Sequence, residues 1–344
     1  MRRLVLSLLV LVLATAAGAA TPYFLDRSGM LWKASASQQG LVLTGERDAA
    51  IAVRSVVPFP LALAGSNDAQ IQVAADELSG TVAVVWQRNW SESASEIIVA
   101  LWRNGTWDRI IHLTDDLAAR PRNPLIQLST VRNSVPDPQD GTGASSATVI
   151  EDSFLHVVWW QGNESQQGAS YALVRLTSTS DDSDAVVRRN LDSFGFLGLA
   201  CAAPATPDIL EHPLFADQAQ HDRALVFFGA SRTCLFSLLE ISFTVATPPT
   251  ADAGGGFTAI AQRRRNVPVF GVQRVFPVPD SFAMDGARMV VGADLNPVTY
   301  RLAGPGALAY VVATDAGWST TRTLSVKPDL TLDQAIPLLE SLAR

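Results

Sequence analysis

The chain is 344 residues long, 48% hydrophobic and 17% charged, with a formal net charge of −7. That apolar content excludes a disordered chain, and 23 Gly with 19 Pro fall far short of a collagen-like repeat. With 33 Asp and Glu against 26 Lys and Arg, the balance argues against nucleic acid as a partner, because a phosphate backbone is bound by clustered positive charge.

Met1-Arg2-Arg3 is a short basic region, Leu4 to Leu13 is an apolar run, and small residues continue to Ala20. Ala17-Gly18-Ala19 has the small-x-small pattern that a signal peptidase accepts, so residues 1–19 read as a signal peptide and 20–344 as the mature chain. The apolar run is about half the roughly 20 residues that a bilayer span needs. An uncleaved N-terminal anchor is the alternative. No later stretch is long and apolar enough to cross a membrane, and no Cys follows the cleavage region to carry a lipid. The expected location is therefore extracytoplasmic, secreted or periplasmic. Cys201 and Cys234 are the two cysteines, and an even count in an oxidising compartment favours a disulfide, with two buried free thiols as the alternative. They lack the close C-x-x-C pairing of zinc sites, and the four His show no ligand spacing, so no metal is expected.

Short runs of β-branched and aromatic residues, separated by Gly, Asn, Asp and Pro, recur along the chain. Between Ala69 and Thr114 they make a complete unit. Ile71–Ala75, Thr81–Trp86, Glu96–Trp102 and Trp107–Leu113 read as strands, with a turn over Asp76–Gly80 and a polar loop over Gln87–Ser95. Asn104-Gly105 supplies the two positive-φ positions of a two-residue hairpin. Four consecutive antiparallel strands form a meander the size of a propeller blade.

A second copy opens at Pro124–Leu128, carries a Gly/Ser/Asp/Pro-rich stretch over Asn133–Ser146 that reads as a surface loop, and continues through Phe154–Trp160 and Tyr171–Leu176. Val82-Ala83-Val84-Val85-Trp86-Gln87 aligns with Leu155-His156-Val157-Val158-Trp159-Trp160. Both copies run on into a possible glycosylation sequon, Asn89-Trp90-Ser91 and Asn163-Glu164-Ser165. Weaker copies have their central strands at Arg223–Gly229 and Ala307–Ala313, and an early one begins around Met30-Leu31-Trp32. The steps between copies exceed the about 40–50 residues of a regular blade, so either the blades carry long insertions or further copies have diverged beyond recognition. The expectation is an all-β propeller of about five to seven four-stranded blades, with a pair of β-sandwiches as the alternative. At the end of the chain, Thr331-Leu332-Asp333-Gln334 has the form of a capping box. Leu332, Ile336, Leu339 and Leu342 then fall near helical spacing, which predicts a short amphipathic helix over about 331–343, docked on the propeller and disturbed by Pro337.

The unit of strand, Asp-x-x-x-Gly turn, Val-Val-Trp strand, further strand and Gly-x-Trp hairpin resembles exported propellers of the sialidase-like superfamily, whose repeats often carry an Asp-box hairpin. Arg103-Asn104-Gly105-Thr106-Trp107 and Thr314-Asp315-Ala316-Gly317-Trp318 look like degenerate boxes; the first lacks the Asp, and the second lacks the intervening Thr. The resemblance implies a propeller in which such hairpins are structural. It also implies, for catalytic members, three arginines, a Tyr with a Glu partner and an acid/base Asp. That set is not recognisable here. Tyr171, Tyr300 and Tyr310 sit in apolar strand patterns, Tyr23 adjoins the signal peptide, and only Arg120-Pro121-Arg122 is similar to an arginine-bearing loop.

Other chemistry is equally sparse. The acids at Asp115-Asp116, Asp137, Asp140 and Asp181 to Asp184 fall in loop-like runs, the last with calcium binding as a sharper alternative. His156 reads as a packed strand histidine and His221-Asp222 as a loop entering a strand, with an acid/base pair as the alternative. Arg263-Arg264-Arg265 reads as a solvated loop, with an anionic-ligand patch as its alternative. No nucleophile elbow or phosphate-binding glycine loop occurs, and no cofactor is expected. Side chains alternate along a strand, so Trp159 and Trp160 face opposite ways. Trp159 aligns with Trp86 as blade core, whereas Trp160 aligns with Gln87 and reaches a surface. With Trp90 it is the candidate aromatic platform, although packing between blades would account for the same residues. The expected function is a binding or scaffolding module for a glycan or an extracellular protein. A diverged glycoside hydrolase is the alternative.

Overall fold

The computed structural model describes residues 23–37, 40–58, 67–114, 116–117, 120–136, 147–163, 166–177, 186–193, 208–210, 223–228, 236–246, 265–276, 282, 287–291, 297–314, 317–332, 334–335 and 338–339. Strands β1 (Tyr23–Leu25), β2 (Leu31–Ser37), β3 (Gly40–Arg47) and β4 (Ala50–Val56) form one antiparallel sheet in chain order. A second contains β5 (Asn67–Asp76), β6 (Thr81–Ser91), β7 (Ala94–Arg103) and β8 (Thr106–His112). A third contains β9 (Arg122–Pro136), β10 (Ala147–Asn163), β11 (Gln166–Arg175) and β12 (Val186–Ser193). The fourth is built from β13 (Asp208–Leu210), β14 (Arg223–Phe228), β15 (Phe236–Ala246) and β16 (Arg265–Phe276). In the fifth, β17 (Arg288–Val291), β18 (Pro297–Gly304) and β19 (Ala307–Thr314) are followed by a fourth strand in two pieces, β20 (Gly317–Trp318) and β21 (Arg322–Ser325), both paired with β19.

Each sheet is a meander in which sequence neighbours are hydrogen-bonded neighbours. This is the blade architecture of a β-propeller, and it differs from a sandwich, whose Greek-key crossovers would interleave the strand order. Successive sheets pack face to face because each strand alternates its apolar side chains. Val82, Val84 and Trp86 on β6 face the first sheet, joining Leu41, Leu43 and Trp32. Ala83 and Val85 face the third, joining Leu155, Val157 and Trp159 of β10. The opposite face of β10 meets the fourth sheet, where the Phe154 ring lies 4.7 Å from Phe243.

Trp86 and Trp159 are thus equivalent, each buried against the preceding sheet. Trp32 is on the corresponding strand but packs towards the following sheet, so its place in the repeat is one of strand and not of face. Its ring lies over Gly45, where an added Cβ would come within 2.9 Å of Cζ3.

The Asn104-Gly105 hairpin has the positive φ at both positions that its sequence requires, 51° and 83°. Both box-like segments join a third strand to a fourth; in the second, Thr314 Oγ1 donates to Gly317 O at 2.9 Å. Four expectations are corrected. Residues 87–91, Trp90 included, continue β6, and Ala94 and Ser95 open β7, because the ladder between these strands runs through the stretch read as a polar loop. Asn133–Pro136 continue β9, paired with Ala147–Ile150, because the ladder outruns the polar composition. Ala307–Ala313 lie in the third strand of their sheet, since β18 supplies the second. Arg265 opens β16 opposite Ala246 and is not in a loop.

The terminal helix starts with a reciprocal capping box: Thr331 N donates to Gln334 Oε1 at 3.0 Å and Gln334 N to Thr331 Oγ1 at 3.3 Å. Ala335 and Leu339 are buried against Tyr300, Leu308 and Tyr310, with Leu332 packed beside them, and the Tyr300 hydroxyl donates to Leu332 O at 3.3 Å.

Candidate functional site

The antiparallel run of β5 and β6 separates two ends of the second sheet. At one end lie the turns that enter β2 and β6. The Asp26 carboxylate accepts from Ser28 Oγ at 2.7 Å, Met30 N at 2.9 Å and Trp32 Nε1 at 3.0 Å. Burial alone would raise its pKa, but these hydrogen bonds outweigh it and hold the carboxyl below its ordinary value. Asp76 closes the equivalent turn, accepting from Ser79 N at 2.8 Å and from the Ser79 hydroxyl. Glu77 Oε1 accepts from Arg27 N at 2.7 Å, which ties the two turns together.

Beneath these turns a cavity of about 760 Å³ opens where the first strands of three successive sheets converge, lined by Phe24, Asp76, Ser129, Thr130 and Arg132 among others. A second hollow of about 540 Å³ shares Asp26, Arg27, Asp76 and Glu77 with it and reaches between the first and second sheets to Trp32 and Trp102. Those two rings lie 5.4 Å apart, inclined at 55°. The cavity therefore combines aromatic surface with a rim of both charges. Its acids are engaged: Asp26 and Asp76 hold turns, Glu77 joins them, and Glu151 pairs with Arg132 at 2.5 Å.

Sequence reasoning missed this site. The available signal was a repeated Asp, Gly and second-strand pattern, Asp26 to Trp32 and Asp76 to Val82, which places two carboxylate-closed turns side by side.

At the other end of the sheet lies Trp90, the predicted platform residue. It is half-buried, its indole N–H donates to Glu96 Oε2 at 3.2 Å, and the Arg88 guanidinium sits 5.6 Å above its ring. Arg88 in turn holds Asp68 through two bonds of 2.7 and 3.0 Å, and the buried Glu96 carboxylate also bonds His112 Nδ1. One face of Trp90 is thus occupied by a cation. Trp160 lies at the same end of β10, its backbone paired with Ala169 and Arg122.

His156 is buried, bonded to Ser129 Oγ at 2.6 Å and Tyr171 Oη at 2.9 Å, and burial pushes its pKa down to about 3. It is a neutral core residue, as its strand position predicts. Cys201, Cys234, His221, Asp222, Asp137, Asp140, Asp181 to Asp184, Arg263, Arg264 and the signal peptide lie outside the described residues. Among the described residues no group of three or more His, Cys, Asp and Glu is placed to hold a metal ion. No described helix is long and apolar enough to cross a membrane.

No protein-family model matches the chain, and no curated protein matches it. Among solved structures it is similar to an asparagine-to-glutamine variant of the Aleuria aurantia lectin in complex with alpha-methyl-L-fucoside, at 11% identity over 90% of this chain and 91% of that chain, with a TM-score of 0.21. At that score the two backbones do not superpose. The fold rests on the sheets themselves.

Proposed function

We propose that this protein is an exported propeller module that binds a glycan in the cavity at the convergence of its first three sheets. The carrying observation is the junction of the two turns, where the Trp32 and Trp102 rings stand beside Arg27 and Glu77 in a hollow continuous with the larger cavity. Sugars present apolar C–H faces to aromatic rings and hydroxyls to planar polar groups, and this hollow offers both kinds of partner. The engagement of Asp26, Asp76 and Glu151 in turns and an ion pair favours binding over glycoside hydrolysis, which needs one carboxyl kept protonated and poised opposite another. Kinship with sialidase-like propellers belongs to this reading and is supported by the two third-to-fourth-strand hairpins. Export is supported by the N-terminal sequence pattern.

The test is a glycan array probed with the mature chain and with Arg27→Ala, whose exposed side chain lines both hollows. A bound glycan whose signal falls at least about tenfold in the variant, with an unchanged melting temperature, supports the proposal. The tenfold threshold corresponds to about 1.4 kcal/mol of binding. Binding indifferent to Arg27, an array with no bound glycan, or turnover of a glycoside would each overturn it.

A further inference from the structure

Two leucines stand in the open at turns where polar residues are the usual choice. Leu25 ends β1 immediately before Asp26, and Leu78 lies inside the turn that Asp76 closes through Ser79 N. Their exposures are 62% and 44%. The backbone that carries them is pinned. Asp26 fixes the first turn through Ser28, Met30 and Trp32, Asp76 fixes the second, and the bond from Arg27 N to Glu77 joins the two. A single exposed leucine needs no explanation. Two of them on joined turns, lining one cavity, make an apolar surface left in unfavourable contact with water.

The larger cavity extends that surface with Phe24, Ala75 and Leu128. Phe24 is half-buried against the apolar cores on both sides of the second sheet, and Leu128 against the core shared by the second and third sheets. These side chains are therefore held in place before any ligand arrives. Asp26, Arg27, Asp76 and Glu77 line both hollows, whereas Trp32 and Trp102 belong to the smaller one. The lining is zoned: aromatic faces in the smaller hollow, a shared polar rim, and aliphatic side chains beyond it. Arg132 and Glu151, on the third-sheet side, neutralise one another. The volume of about 760 Å³ is more than a single sugar ring fills.

We propose that Leu25, Leu78, Phe24 and Leu128 form an aliphatic subsite beside the sugar-binding hollow, and that the ligand is a glycoside whose sugar carries an alkyl chain. This rests on the glycan reading above and narrows it to amphiphilic glycosides. The sugar ring lies in the smaller hollow, its hydroxyls meet Arg27 and Glu77 at the rim, and the chain covers the leucines. Affinity then grows with the apolar area removed from water, by up to about fourfold for each methylene buried. The shared rim has three carboxylates to one guanidinium, which disfavours a fatty-acid headgroup and suits an uncharged sugar.

The experiment is calorimetry on the mature protein with methyl, butyl and hexyl glycosides of D-glucose, D-galactose and D-mannose, all below their micelle-forming concentrations, and with hexanoate as a charged chain. Binding of the preferred sugar tightens at least about tenfold from methyl to hexyl, and hexanoate binds more weakly than the hexyl glycoside. Replacing both leucines, Leu25→Ser with Leu78→Ser, cuts that gain to below about threefold. Leu302→Ser, at a 41% exposed leucine of β18, leaves the gain intact. Both cavity leucines are exposed, so the double variant melts with the wild type; a marked fall would make them structural residues and overturn the proposal. Affinity that does not rise with chain length, a rise that survives the double variant, or hexanoate bound as tightly as the hexyl glycoside overturns the subsite and leaves the glycan reading standing. A rise with chain length and no preference among the sugars overturns the glycan reading, and the glycoside with it. No binding of any of these glycosides overturns both.

Discussion

His156 shows how a single strand position acquires a measurable property from its neighbours. Its ring lies between Ser129 and Tyr171, buried to 1% exposure, with both nitrogens hydrogen-bonded. Its pKa of about 3 in the fold compares with 6.5 for the free side chain. As pH falls below about 6.5 the unfolded chain takes up a proton that the folded one refuses. The contribution to stability is therefore complete above that pH and drains away towards pH 3, at up to about 1.4 kcal/mol per pH unit. Between pH 6.5 and 5 the wild type should lose about 2 kcal/mol more than His156→Gln, whose amide does not titrate, as read from urea unfolding at the two pH values. Equal losses would mean that water reaches the ring. The same dependence on neighbours governs the indole of Trp32, which needs a glycine at position 45 for its ring and a carboxylate at position 26 for its N–H.

The strands and the terminal helix were legible to different degrees. The second sheet was readable almost strand by strand, because alternation and turn chemistry agree along it and Asn104-Gly105 admits one tight hairpin geometry. The break of the last strand into β20 and β21 had no such signal, since two- and four-residue strands are too short to show a period. The helix rests on its cap: Thr331 and Gln334 satisfy one another's backbone donors, and Ala335 and Leu339 then meet the fifth sheet. Replacing Thr331 by Ala should cost about 1 kcal/mol and raise hydrogen exchange at the helix amides while leaving the second sheet protected. Loss of protection throughout the molecule would instead make the helix part of a single cooperative unit with the sheets.

Across the whole molecule the sheets are joined by polar stitches as well as by apolar faces. Gln72 reaches from β5 to Pro124 O and receives Ile126 N at 3.1 Å, so that one side-chain amide continues the hydrogen bonding between first strands. Arg103 and Arg175, at equivalent ends of third strands, each donate to a backbone carbonyl of the next sheet, Leu176 O and Asn266 O. Asn266 in turn bonds Asp152 through its backbone N–H at 2.8 Å and its side-chain amide at 3.0 Å. Export would add a covalent link. Pairing of Cys201 with Cys234 closes a loop of about 34 residues and stabilises by roughly 3–4 kcal/mol on the chain-entropy estimate. Intact mass of unreduced protein after alkylation should show no label, whereas two labelled thiols would disprove the pairing.

The features readable from the sequence alone are those whose causes lie within a few residues of one another. Strand alternation marks the β class, Asn104-Gly105 the hairpin, and Thr331 with Gln334 the helix start; the aligned Val-Val-Trp segments show that the meander repeats. Each follows from backbone sterics or a local hydrogen bond. The cavity and the burial that keeps His156 neutral depend on residues that are distant in the chain and adjacent only after folding. Asp26 meets the second turn through Arg27 N and Glu77, 50 residues apart. Ser95 anchors Pro121 across 26 residues. Asn133 finds Asn266 across 133. Alternation specifies that a strand has two faces, but the neighbouring sheet determines what each face meets. Burial, charge compensation and pocket shape are properties of that meeting, and they arise only once the sheets are packed.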